Sequence, residues 1–99
     1  MANTRVTVLA RVKARKGMEE KVKQELMALV AQTRKETGCV NYDLHQGAED
    51  RSLFMFYENW LSKKDLDQHL EMPYMKRFGE KAADLLADPP DITLWEMIS

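Results

Sequence analysis

Arg5-Val-Thr-Val-Leu-Ala-Arg-Val-Lys-Ala14, followed after Gly17 by Met18-Glu-Glu-Lys-Val22-Lys-Gln-Glu-Leu26-Met-Ala-Leu29-Val30, decides the fold, because the hydrophobic period changes inside it. In the first half Val6, Val8, Ala10, Val12 and Ala14 share one face. Arg5, Thr7, Arg11 and Lys13 lie on the other with Leu9. That alternation is a half-buried strand over 5–14. In the second half Met18, Val22, Leu26, Leu29, Val30 and Thr33 recur at steps of three and four with charges between them. They describe an amphipathic helix of roughly five turns. Gly38 is the expected stop, since the residue after a helix often adopts the left-handed conformation that glycine tolerates.

Working outward, Val40, Tyr42 and Leu44 alternate with Asn41, Asp43 and His45, a second strand, and Gly47-Ala-Glu-Asp50 is a turn. Leu53-Phe-Met-Phe-Tyr-Glu-Asn-Trp60 is a third strand, apolar on both faces and therefore expected to be covered on both. Ser62 can cap the next helix with Asp65 as its capping partner, and Leu66, His69 and Leu70 share one side of it. Pro73 suits the first turn of a further helix, whose buried stripe is Met75, Phe78, Ala82, Leu85 and Leu86. Pro89-Pro90 stops it, and Ile92 to Ile98 is a closing strand. The order is β-α-β-β-α-β, with the second helix broken near Pro73. It predicts one α+β domain over 1–99: a ferredoxin-like, four-stranded antiparallel sheet with helices on one face. The strands carry apolar residues on both faces, so the bare face must meet something. A second copy of the same sheet is the cheapest partner, and a homodimer is expected.

Composition narrows the function classes. A chain of 99 residues buries only about 65% of its unfolded surface, so the core is thin. Fifteen basic residues against sixteen acidic ones, with cations dispersed among acids, lack the basic face that a nucleic acid would need. The single cysteine, Cys39, cannot form an internal disulfide and has no basic neighbour to activate it. No apolar run reaches the ~20 residues of a membrane span, and the first residues lack a signal-peptide pattern. The expected compartment is the cytoplasm.

No phosphate loop, HExxH or CxxC is present, and His45 and His69 lie on different elements without metal-ligand company. No cofactor or metal is expected. The strongest local constellation is Glu58-Asn59-Trp60 followed by His69. Period two puts Glu58 and Trp60 on one face, and His69 looks back from the helix towards Trp60. An imidazole, an indole and a carboxylate together can bind a flat aromatic and move one proton near neutral pH. The spacing is also met if Trp60 is plain core, Glu58 pairs with a cation and His69 bonds a backbone carbonyl. Tyr42, Phe54, Phe56, Tyr57, Tyr74 and Trp95 are core residues before they are pocket residues, and His45 lies on a polar face.

Glu36-Thr-Gly-Cys39 with Tyr42, Tyr57-Glu-Asn-Trp60, Ser62 with Leu66 and His69, and Pro73-Tyr74 with Phe78 resemble, in register, the antibiotic biosynthesis monooxygenase family. The resemblance implies a dimeric α+β barrel with a pocket between sheet and helices in each subunit. It also implies cofactor-free oxidation of a quinol- or anthrone-like aromatic by O2. Trp60 would line the pocket, His69 would be the base or hydrogen-bond donor, and Glu58 would orient a partner. Tyr57, Tyr74, Phe78 and Tyr42 would contact the substrate. Haem-degrading relatives use an Asn in the first strand. Here the nearest is Asn3, ahead of the strand, which speaks against haem degradation. Relatives that isomerise or process small phosphorylated signals would want a basic lining, for which Arg5, Arg11 and Lys13 are the candidates. A non-catalytic binding protein using the same pocket is the third alternative.

Overall fold

The computed structural model describes residues 4–99, so Asn3 lies outside them. The elements are β1 (Val6–Lys13), α1 (Glu19–Thr33), β2 (Cys39–Gln46), β3 (Leu53–Trp60), α2 (Lys63–Leu70), α3 (Pro73–Leu85) and β4 (Asp91–Trp95). The strands form one antiparallel sheet in the order β2-β3-β1-β4. This is the ferredoxin-like α+β fold that the pattern of periods predicts.

Register explains the core. Val8 opposes Glu58, Ala10 opposes Phe56 and Val12 opposes Phe54, so the buried face of β1 continues into the aromatic face of β3. Against it α1 lays Val22, Leu26, Leu29 and Thr33, α2 lays Leu66 and His69, and α3 lays Phe78 and Leu85. Fully burying one such leucine or phenylalanine contributes about 2 kcal/mol, so these few side chains carry much of the folding energy. Leu9, Met55 and Tyr57 point the other way, to the face without helices.

Several boundaries differ from the sequence expectation. Helix α1 ends at Thr33, and Gly38 is not its left-handed cap. Among the described residues the one positive φ is at Gly17, 89°, where β1 turns into α1. Strand β1 stops at Lys13, and Ala14 makes an isolated bridge to Leu86. The closing strand ends at Trp95 instead of Ile98. Trp95 already opposes Thr7 near the start of β1, so residues beyond it have no ladder partner. A bulge between Cys39 and Asn41 removes Val40 from the Tyr42 face and leaves it 43% exposed. An extra residue in one strand inverts the alternation on one side of it, which periodicity alone does not reveal. No helix among the described residues is long and apolar enough to cross a membrane.

Candidate functional site

Five segments deliver polar and aromatic side chains to one end of the core. Strand β3 supplies Glu58 and Trp60, both inward because they are two residues apart. Strand β2 supplies Tyr42, opposite Glu58. The turn after α1 supplies Glu36. Helix α2, only eight residues long, starts on Ser62, whose hydroxyl accepts from the Asp65 backbone N–H, and brings His69 to its last turn. Pro73 opens α3, and its first turn carries Tyr74.

His69 is the hub. It is 1% exposed and lies against the Trp60 indole, with ring centroids 4.6 Å apart and planes at 34°. Tyr42 meets it edge-on at 5.4 Å. Its Nδ1 is 2.8 Å from Glu36 Oε2, and the Tyr74 hydroxyl donates to that same oxygen. Burial holds the His69 pKa below its ordinary value, against the pull of the Glu36 hydrogen bond. The ring is therefore neutral at pH 7, and its contact with Glu36 is a hydrogen bond and not an ion pair. Donation from Nδ1–H fixes the tautomer and leaves Nε2 as the acceptor.

Glu58 is 4% exposed, and its Oε1 accepts from the Trp60 indole N–H at 2.9 Å. Burial pushes its carboxyl up to about 7, with the nearby Glu36 charge adding to the effect and the indole hydrogen bond opposing it. Burial and the Glu58 charge push the Tyr42 hydroxyl well above its usual range. Burial and the Glu36 hydrogen bond do the same for Tyr74. Both remain protonated at neutral pH. The half-buried Cys39 thiol is pushed up to about 11 by burial and by Glu36 and Glu58, so it is no nucleophile there.

A cavity of about 80 Å³ lies between the sheet and the helices. Among the described residues Tyr42, Glu58 and His69 are its only polar lining, and Leu26, Leu29, Phe56, Leu66, Met75 and Phe78 supply apolar walls. Trp60 and Tyr74 are not in that lining; they support Glu58 and Glu36 from behind. Tyr57 points to the opposite face of the sheet and does not join the constellation. Arg11 and Lys13 also lie on that opposite face and Arg5 precedes β1; among the described residues none of the three, and no other Lys or Arg, lines the cavity. A larger groove of about 290 Å³ runs between α1 and β2, past Lys23, Arg34 and His45. It is open, and its Arg34 already faces Asp43 at 3.4 Å; the buried proton-carrying groups belong to the smaller cavity. Among the described residues no three His, Cys, Asp or Glu side chains are grouped to hold a metal ion.

Glu36 is the functional candidate that spacing did not supply. It sits in a turn 33 residues before His69, and its one signal was its place in the Glu-Thr-Gly-Cys run.

Comparison with known proteins agrees with this architecture. The family model described as antibiotic biosynthesis monooxygenase matches residues 5–81. A Mycobacterium tuberculosis protein named "Putative monooxygenase Rv0793" is 32% identical over 89 residues, covering 90% of this chain and 87% of its own. The uncharacterized Synechocystis protein sll1783 is 28% identical over 97% of this chain, which spans 65% of that protein's length. The crystal structure of PA3566 from Pseudomonas aeruginosa superposes with a TM-score of 0.92 at 34% identity, covering 97% of this chain and 96% of that one.

Proposed function

Because this chain belongs to the antibiotic biosynthesis monooxygenase family, we propose that it oxidises a quinol- or anthrone-like aromatic with molecular oxygen and without a cofactor. The observation that carries this is the place of His69: buried, tied through Nδ1 to Glu36, and part of the lining of a largely apolar cavity, where burial holds its pKa below the ordinary value. A phenol with pKa about 10 is scarcely ionised at pH 7, so the first requirement is a base. His69 Nε2 takes the phenolic proton. The resulting anion is electron-rich enough to reduce O2, and no metal is needed for that step. One oxygen atom then bonds to the ring carbon and the other leaves as water with two hydrogens from the substrate. The substrate supplies the four electrons that reduce both oxygen atoms. Glu58, poised near neutrality, is placed to accept or return a second proton, and the Tyr42 hydroxyl can donate to a developing oxyanion. The dry walls keep water from the intermediates.

Size adds a condition. A cavity of ~150 Å³ accepts a benzene ring, and this one is about half that. Substrate binding must therefore widen it, and Met75 and the half-exposed Leu70 form the adaptable part of the wall. A homodimer joined through the open sheet face belongs to the same proposal. It is supported by Leu9, Met55 and Tyr57 on that face, and by Trp95, 56% exposed.

An oxygen electrode with a panel of hydroquinones, naphthoquinols and anthrones tests the reaction. The expected result is enzyme-dependent O2 uptake matched to loss of the aromatic. Tight binding of the aromatics with no uptake would leave a binding protein instead.

A further inference from the structure

Helix α2 touches the turn after α1 at two points one helical turn apart. Asp65 sits on Gly38, and His69 bonds Glu36. Asp65 and His69 are four residues apart and so share a face of the helix. Asp65 is held in turn by the Ser62 hydroxyl, which donates to its Oδ2 at 2.7 Å. On the other side the Leu61 N–H donates to the Gly38 carbonyl at 2.9 Å. Gly38 is buried and its φ is not positive, so its backbone does not demand glycine. Space does: a Cβ at position 38 would overlap Cβ and Cγ of Asp65. Cβ is not the free end of a side chain, so the helix itself would have to retreat by roughly 1 Å to reach ordinary contact. The hydrogen bond at 2.8 Å tolerates less than that before it is lost.

We propose that Gly38 is a positioning residue: its missing side chain lets Asp65 seat α2 on the turn, and that seat sets the Glu36–His69 hydrogen bond and hence the tautomer of His69. The functional weight of this device rests on the reading of His69 as the base. The device itself does not need substrate to be seen.

The test is nitrogen-15 NMR of the histidines in the full chain at pH 7, with exposed His45 as internal reference. In the natural sequence His69 should show one neutral form, protonated at Nδ1. Gly38→Ala should give a mixture of tautomers and at least a tenfold faster exchange of the Nδ1 proton with water. Adding Asp65→Gly to Gly38→Ala reopens the space without rebuilding the seat, so the Nδ1-protonated form should again predominate while its exchange stays several-fold faster than in the natural sequence. If Gly38→Ala does not fold, Asp65→Ala, which keeps the glycine and only loosens the seat, should still speed that exchange several-fold. A natural-type spectrum in Gly38→Ala, or in a folded Asp65→Ala, overturns the inference. A lost tautomer with undiminished turnover of an established substrate upholds it and removes His69 as base.

Discussion

The Trp60 indole N–H donates to Glu58 Oε1 at 2.9 Å, a bond between next-but-one neighbours on the inner face of one strand. The aromatic that closes the core thus also holds its least comfortable carboxylate, and the bond opposes, without cancelling, the upward push of burial on Glu58.

Glu58 should therefore make the protein less stable as pH rises. Its folded pKa of about 7 lies above the ordinary 4.5, so the stabilisation is full below about pH 4.5 and is lost as pH climbs through 7. A shift of this size corresponds to about 3 kcal/mol at alkaline pH. Glu58→Gln keeps an acceptor for Trp60 and carries no charge. Thermal unfolding should show it close to the natural protein at pH 5 and more stable by about 2 kcal/mol at pH 8.5. Equal gains at both pH values would mean that the carboxyl is not the cause.

His69→Ala is a poor probe on its own, because emptying a site 1% exposed between two aromatic rings costs about 3 kcal/mol of stability. His69→Gln fills most of the space and can still donate to Glu36. On a confirmed substrate its rate at pH 7 should fall by ~10²–10⁴-fold and recover at alkaline pH, where the substrate ionises unaided. More than half the natural rate at pH 7 would show that another group takes the proton.

The pH–rate profile on a confirmed substrate should separate the two proton carriers of the proposed reaction. His69 titrates below its ordinary 6.5, so activity should fall as pH drops beneath that value. A limb near 7 belongs to Glu58, about 7, and should vanish in Glu58→Gln while the lower limb stays. Loss of both limbs in that variant would tie them to one coupled unit.

Thr33 Oγ1 is buried and makes no well-formed hydrogen bond among the described residues, although the Tyr42 and Tyr74 hydroxyls lie close enough to interact with it. Thr33→Val, similar in shape and lacking that poorly bonded hydroxyl, should stay within about 1 kcal/mol of the natural protein in urea unfolding. A loss above about 1 kcal/mol would reveal a polar partner for that hydroxyl in solution.

Light scattering should give about twice the 11.5 kDa chain mass at micromolar concentration. Tyr57→Lys, on the open sheet face and away from the cavity, should shift the population towards monomer. A stable monomer of the natural sequence would sink the dimer.

Much of this molecule was legible in its sequence. The change of hydrophobic period at Gly17 determined a strand followed by a helix, and the bounds of β3, Leu53 to Trp60, could be read directly. Period two joined Glu58 to Trp60, and the same parity sets Tyr57, which the family resemblance had named as a substrate contact, on the opposite face of the sheet. Such features are local: a side chain's direction follows from its own strand or helix. The tertiary structure alone decided the rest. The bulge at Val40 depends on how β2 registers against β3. Glu36 reaches His69 only because a turn and a helix 33 residues apart are folded together, and Gly38 is needed for a contact that its own φ does not reveal. The proton affinities of Glu58 and His69 come from burial, and burial belongs to the packed whole.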